Sequence, residues 1–442
     1  MTQLTEEGAR NFNIPADKSS RGAAIRAAQE MDCTPVIRRY QKEWFNNLRR
    51  RVIEGGEPYV IAPAVSAHEI LESFDMPYVC SEWWSGLTAA RRQSADYLDL
   101  LEEHGYHDGL PRYGALVLAT ALDGDNPRRP WGGLPKPAFV MYQGQNGPTA
   151  RWENVAEAFG VPAIIANLTP DSSRLHHHWW DVSKWMWEDL YGTERIDCIV
   201  EGYRQIIAQC ERVSGKRFDI DKLREVMNRA NAQEDAFGEA RQVMRKAPKV
   251  PVNLAEELGN VMTIQWHRGS QWALDAARMY RDEVIDRAAR GVAVCPDERI
   301  RLAWGGLGLW QNVQFYRAFE ASHQAVFVRS IYMSIAIDGY TRYGTRDPLR
   351  ALAARYAGIS MEIVSPPANV EWAVHELKEY RADGAVILPD DTKFMPMALE
   401  RAGIPTMVIP VDPVDGRTWN EEKLIGMVSR FIEERVAKEA AG

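Results

Sequence analysis

The chain is poor in cysteine: five in 442 residues, at positions 33, 80, 198, 210 and 295, with no CxxC pair among them. So sparse and scattered a set excludes a disulfide scaffold and any zinc or iron site built from a local motif. Only a cluster held by cysteines far apart in sequence stays open. Long hydrophobic runs are also missing, since no stretch approaches the roughly 18 consecutive apolar residues of a membrane span. The opening MTQLTEEGAR is polar and lacks the apolar core of a signal peptide, so a cytoplasmic protein is expected. A basic excess is lacking too. With 53 Lys+Arg against 61 Asp+Glu the net charge is −8, which argues against nucleic acid or an anionic membrane as the main partner. Phosphate-loop signatures are absent: there is no GxxxxGK[ST], and no GxGxxG follows a strand-like run.

What the chain has in quantity is tryptophan, fifteen in all, including the pairs Trp83-Trp84 and Trp179-Trp180. Such residues build ordinary cores and also flat apolar walls for a large ligand or a partner. At this length two to four domains are expected. Residues 1–57 read as a polar arm followed by a helix from Thr34, with Pro35 at its first position and Gly55-Gly56 closing it. Over 58–175, short apolar runs alternate with helical spacing. PYVIAPAV, MPYVC, GALVLAT (Gly114–Thr120), AFVMY and PAIIANL read as strands, while Trp152, Val155, Ala156 and Phe159 form one helical stripe. Residues 176–296 read as helical, with Asp219 as an N-cap and Cys198 and Cys210 as small apolar fillers. Over 297–442 a second alternating module follows: IRLAWGG, QAVFVRS, ADGAVILPDD and IPTMVIPVD as strands, GLWQNVQFYRAFE and KFMPMALERAG as helices. The fold class is therefore α/β: two parallel-sheet domains with an added helical region, and chemistry expected where strands end.

Several strand ends carry polar groups. Cys80-Ser81-Glu82 ends one; MYQGQNGP offers Gln143, Gln145 and Asn146 beside a turn glycine; VILPDDTKF offers Asp390, Asp391 and Lys393. WGGLGLW, from Trp304 to Trp310, places glycines after a strand, where backbone N–H groups could meet a phosphate or a thioester oxygen, or form a plain turn. The run His176-His177-His178 followed by Trp179, Trp180 and Asp181 has metal-ligand chemistry. Adjacent side chains on a regular element diverge, however, so an aromatic-rich loop or helix start is the favoured reading there.

The order of these elements, together with VIAPAVSAHEILESFDMPYVC, VSGKRFDIDKLREVMNRANAQED and RYGTRDPLRALAARYAG…EYRADGAVILPDDTKF, resembles the benzoyl-CoA reductase and 2-hydroxyacyl-CoA dehydratase family, particularly its larger reductase subunits. The similarity runs from about Pro58 to Val436. It implies two flavodoxin-like domains, a homologous partner subunit in a heterodimer or larger hetero-oligomer, and an acyl-CoA bound between domains. Family members resembling this chain hold a [4Fe–4S] cluster through three cysteines and receive electrons from an ATP-hydrolysing activator. Carried over residue by residue, the first ligand position falls on Cys80, the second, after Tyr142-Gln143-Gly144, on Gln145, and the third on or beside Lys393. A further cysteine-bearing segment matches Arg355–Ser360, again without cysteine.

One soft ligand does not hold a cubane, and a Lys ammonium adds charge of the wrong sign. The resemblance thus implies a chain without its own cluster, any iron residing in a partner, that acts by acid/base chemistry of hydration or dehydration type on an aromatic or bulky acyl-CoA, as in anaerobic aromatic degradation. Glu82, Lys393 and His267 are the acid/base candidates; Cys80, Trp83, Gln145, Asn146, Trp304, Trp310 and Asp390 are the candidates for substrate contact. The alternative is a non-catalytic subunit that binds acyl-CoA or scaffolds a cluster-bearing paralogue.

Overall fold

A computed structural model describes residues 30–106, 112–124, 129–144, 149–167, 178–337, 347–359, 366–389 and 393–437. Two four-stranded parallel sheets organise it. In the first, β1 (Val60–Ala62), β2 (Tyr78–Cys80), β3 (Phe139–Gly144) and β4 (Ala163–Asn167) lie in the order β2-β1-β3-β4. In the second, β5 (Ile300–Gly305), β6 (Ala325–Ser330), β7 (Gly384–Ile387) and β8 (Thr406–Val408) lie in the order β6-β5-β7-β8. The two orders are the same permutation, so the chain is an α/β protein of two flavodoxin-like domains with added helices. Strands β1, β2, β5, β6 and β7 are buried along their whole length, as parallel strands covered on both faces must be. Register is fixed by pairs such as Ala62 with Cys80 and Trp304 with Val386.

The GALVLAT run is a helix, Arg112–Leu122, and not the expected strand. Its residues are apolar on nearly every side, and periodicity cannot separate a buried helix from a buried strand in so short a run. Thr120 settles the matter locally: its hydroxyl donates to the Leu116 carbonyl at 2.8 Å, one helical turn back, and accepts from the Trp84 indole at 2.7 Å. GLWQNVQFYRAFE likewise departs from expectation, forming a 3₁₀ turn Val313–Arg317 and a short helix Glu320–His323. Here the Tyr316 hydroxyl takes the Leu309 backbone N–H at 3.0 Å, a side-chain bond that stands in for a helical one.

Four longer helices form the added layer: Thr193–Ser214, Ile220–Lys246, Leu254–Gln265 and Gln271–Ala289. Asp219 caps the second as expected, accepting from the backbone N–H groups of Asp221 at 2.9 Å and Lys222 at 3.2 Å. The first-sheet domain, the helical layer and the Pro348–Gly358 helix are pinned together by a buried ionic group. Arg268 donates to Glu69 at 2.9 Å and to the Ser66 carbonyl at 3.0 Å, and the Tyr356 hydroxyl donates to Glu69 at 3.0 Å. Burial alone would raise the Glu69 pKa, but Arg268 and then Arg355 outweigh it and hold the carboxyl below its usual value. No helix among the described residues is long and apolar enough to cross a membrane.

Candidate active site

The carboxyl ends of both sheets face a common cavity of about 410 Å³. β1 runs into it through Ala64 and Val65, β5 through Gly305 and Gly306, and β7 through Leu388 and Pro389. In both sheets the strand that comes first in sequence is flanked by later strands on either side, so the crevice opens where the winding direction switches. Glycine is required at the β5 end. A Cβ on Gly305 would stand 3.0 Å from the Ile387 side chain, and one on Gly306, whose φ is +96°, would stand 2.7 Å from Leu388 Cβ. The two strand ends approach this closely because both positions lack side chains. Apolar residues, among them Ile331, Ile335, Leu377 and Met395, make up most of the wall.

The polar groups of the lining are few: Glu82, Tyr113, Tyr332 and Asn369, besides backbone. Glu82 stands in the first turn of the Ser81–Ala90 helix, which begins directly where β2 ends. Its Oε2 accepts from the Ala64 backbone N–H at 2.6 Å, the Ser81 hydroxyl at 2.8 Å and the Cys80 thiol at 3.5 Å. The carboxylate thereby joins the β1 and β2 ends. The Tyr113 hydroxyl donates to the Glu82 carbonyl at 3.0 Å and lies 3.3 Å from the Tyr332 hydroxyl, which belongs to the second domain. Burial raises the pKa of both phenols, with each other's proximity adding to it for Tyr113, so both remain protonated donors at neutral pH.

Of the residues singled out from sequence, Glu82 and Trp304 line this cavity. Trp304 is fully buried and its indole N–H donates to the Leu307 carbonyl at 2.9 Å, so it braces the glycine turn. Cys80 is buried beside Glu82 without entering the lining. Trp83 and Trp310 do not line this cavity. Trp83, one residue on from Glu82 and about 100° round the helix, packs against Phe45 at 4.9 Å and Trp131 at 5.9 Å, and Trp310 lies over Gly86, where a Cβ would be 3.3 Å from its ring. His267 is likewise set apart from the cavity. It lies outside the lining, hydrogen bonded to Gln41 at 2.6 Å and enclosed by the rings of Tyr40, Trp44 and Trp272, and burial lowers its pKa to about 3. Lys393 is exposed and precedes the Phe394–Arg401 helix, whose Met395 and Leu399 line the cavity. Gln145, Asn146 and Asp390 lie outside the described residues, as do His176 and His177. Gln143 is buried on β3, donating to the Tyr203 hydroxyl at 2.7 Å. Tyr113, Tyr332 and Asn369 are lining residues that the sequence does not single out. Tyr113 immediately precedes the run that reads as a strand, while Tyr332 follows the end of β6 and is open to the same strand-end rule that finds Glu82.

All five cysteines are described, and Cys80 is the one at this site. Its thiol is pushed well above its usual pKa by burial and then by Glu82, so it stands as a neutral thiol. Cys198 is exposed and Cys210 buried on the Thr193–Ser214 helix, Cys33 opens the first helix, and Cys295 donates to the Glu320 carbonyl at 3.4 Å. Among the described residues no three His, Cys, Asp or Glu side chains are grouped to hold a metal ion.

Paired α/β domains meeting at their carboxyl strand ends around a mostly apolar cavity define the class of this protein. Its family follows from residues 64–434, which match the model of the 2-hydroxyglutaryl-CoA dehydratase D-component; the chain belongs to that family. It is 22% identical over 398 residues to the (R)-2-hydroxyisocaproyl-CoA dehydratase alpha subunit of Clostridioides difficile, covering 86% of this chain and 92% of that one. To the (R)-phenyllactyl-CoA dehydratase alpha subunit of Clostridium sporogenes it is 21% identical, covering 84% and 88%. To one of the subunits of benzoyl-CoA reductase from Thauera aromatica it is 27% identical over 251 residues, covering 52% and 57%.

Proposed function

We propose that this chain is one subunit of a hetero-oligomeric enzyme that processes acyl-CoA thioesters, and that the cavity between the sheets receives a bulky, uncharged acyl group. The observation that carries the reading is the lining itself: one carboxylate, Glu82, two phenols and the Asn369 amide set into an otherwise apolar wall. An apolar pocket with a few convergent polar groups is the usual form of a small-molecule site. A charged acyl tail would find no cation among the described lining residues.

The chemistry proposed is acid/base and uses no cluster on this chain. Glu82 takes the proton from the carbon next to the thioester carbonyl and returns it when water leaves or adds. The Tyr332 hydroxyl, turning from Tyr113 to the substrate, supplies a hydrogen bond to the oxygen on which charge develops, while Tyr113 stays on the Glu82 backbone. Lys393, beside the cavity helix, contributes positive charge at its edge. A homologous subunit is the expected partner.

A second reading has its own support. The hydrogen bonds to the Glu82 carboxylate found among the described residues all fall on Oε2 and tie strand ends together, which is also what a purely structural glutamate would do. On that reading the chain binds acyl-CoA, or scaffolds a paralogue that carries the reaction. Turnover of the purified complex with aromatic acyl-CoA esters separates the two. Glu82→Gln abolishes turnover while thioester binding persists if Glu82 is catalytic; unchanged turnover leaves the scaffold reading.

A further inference from the structure

The lining of the cavity divides by domain. The first domain supplies Ala64, Val65, Glu82 and Tyr113, and the rest comes from the second. The reactive groups gather on the first-domain side: Glu82 stands there, Tyr113 donates to its carbonyl at 3.0 Å, and Tyr332 reaches across to Tyr113 at 3.3 Å. A thioester held by those groups has one direction left for its acyl tail, over the wall built by the second domain.

That wall has no charged side chain among the described lining residues, and beyond Tyr332 its polar side chain is Asn369. Its residues differ in depth. Ala303 is 0% exposed and Leu377, Ala385 and Leu399 are 1% exposed, so they only back the wall. Leu307, Ile331, Ile335 and Met395 are half-buried and form the surface that a ligand meets.

Ile331 and Ile335 lie either side of Tyr332 in sequence and four residues apart, which places both on one side of the turn Ile331–Met333 and the short helix Ser334–Ile337 that follow β6. They are held firmly. The Ser334 hydroxyl between them accepts from the Arg329 guanidinium and from the Trp372 indole, both at 3.2 Å, which ties this segment to β6 and to the Ala368–Glu379 helix. Met395 is the adaptable part, an unbranched thioether on a helix whose Phe394 and Met397 are 56% and 49% exposed. The fixed isoleucines, more than the yielding methionine, set the shape that fits.

Size follows from volume. The 410 Å³ of the cavity is well over twice the roughly 150 Å³ that admits a benzene molecule. A single ring would leave part of the half-buried wall uncovered, and apolar area left uncovered contributes nothing to binding.

We propose that the acyl group is larger than one aromatic ring, with its thioester at Glu82 and Tyr332 and its tail on the second domain, and that Ile331 and Ile335 determine which tails are accepted. This rests on the acyl-CoA reading, to which it adds the size and direction of the acyl group.

Calorimetric titration of the full chain with benzoyl-CoA and naphthoyl-CoA, which differ by one fused ring, tests it. The parent binds the naphthoyl ester at least about tenfold tighter, through the added apolar area. Ile335→Phe fills the cavity from the fixed wall and abolishes that preference while the benzoyl ester still binds. Ile331→Phe, four residues away, does the same and serves where Ile335→Phe fails to fold. Equal affinity of the parent for the two esters overturns the proposed size and leaves the acyl-CoA reading standing. An undiminished preference for the naphthoyl ester in the folded variants overturns the role of the isoleucines. If neither ester binds the parent, the acyl-CoA reading fails, and the proposal falls with it.

Discussion

The hydroxyls of Tyr113 and Tyr332 lie 3.3 Å apart, joining residues 219 positions apart that belong to different sheets' domains. Through Tyr113 the contact continues to the backbone of Glu82. Both phenols are buried, so the pair works as an internal clasp across the cavity. Tyr332→Phe removes the bond between the phenols and Tyr113→Phe removes that one and the bond to the Glu82 carbonyl, each lost bond destabilising by about 1 kcal/mol. The two substitutions together cost less than the sum, leaving a coupling energy of at least about 0.5 kcal/mol in denaturant unfolding. Strict additivity would show that the hydroxyls do not interact.

Glu82→Gln preserves an acceptor for the Ala64 N–H and the Ser81 hydroxyl. Its melting temperature should therefore stay within a few degrees of the parent. Turnover of an acyl-CoA by the assembled enzyme should fall by roughly 10²–10⁴, the range for loss of a general acid or base. An unfolded variant would instead mark Glu82 as mainly structural.

Gly306→Ala places a methyl group against Leu388 and forces an L-residue to φ +96°. The expected loss is roughly 1–3 kcal/mol, with the cavity narrowed and thioester affinity reduced in parallel. Gly403, also at positive φ but with nothing near its Cβ, is the control: alanine there meets backbone strain alone and costs less. Equal losses at the two positions would contradict the close approach of β5 and β7.

The pH dependence of stability has opposing contributions. Burial lowers the pKa of His267 to about 3 and, with Arg268 adding to burial, that of His68 to about 3. Each contribution is fully present above the unfolded value of 6.5 and is lost as pH falls toward 3. Burial raises Glu257 to about 7 despite Arg329 and Arg241, so its burden is fully felt above pH 7 and disappears by 4.5. Glu257→Gln should therefore be more stable than the parent at pH 8, by on the order of 3 kcal/mol, with the advantage vanishing near pH 4.5. Urea unfolding at the two pH values measures the difference; an advantage independent of pH would refute the assignment.

The fold was legible wherever a strand was short, β-branched and bounded by Pro or Gly, as at Val60–Ala62 or Ala325–Ser330, and wherever a cap was explicit, as at Asp219. It was not legible at Arg112–Leu122, where uniform apolarity erases the period, nor at Leu309–Arg317, where a tyrosine hydroxyl replaces helical bonding. In the site, Glu82 and Trp304 were found because strand ends point there. Trp83 does not line the cavity because neighbouring helical residues face different ways, and only the three-dimensional path of the Ser81–Ala90 helix decides which one meets it. Tyr332 lay open to the same rule, two residues beyond the end of β6.

The central claim is that the cavity between the two glycine-tight strand ends receives the acyl part of a thioester. The direct measurement is calorimetric titration of a phenyl-bearing acyl-CoA into the full chain and into Met395→Trp, which fills the cavity from a partly exposed helix position. The account predicts 1:1 binding to the parent and at least tenfold weaker binding to the variant. Equal affinity for both, or none for the parent in the presence of its partner subunit, would contradict it.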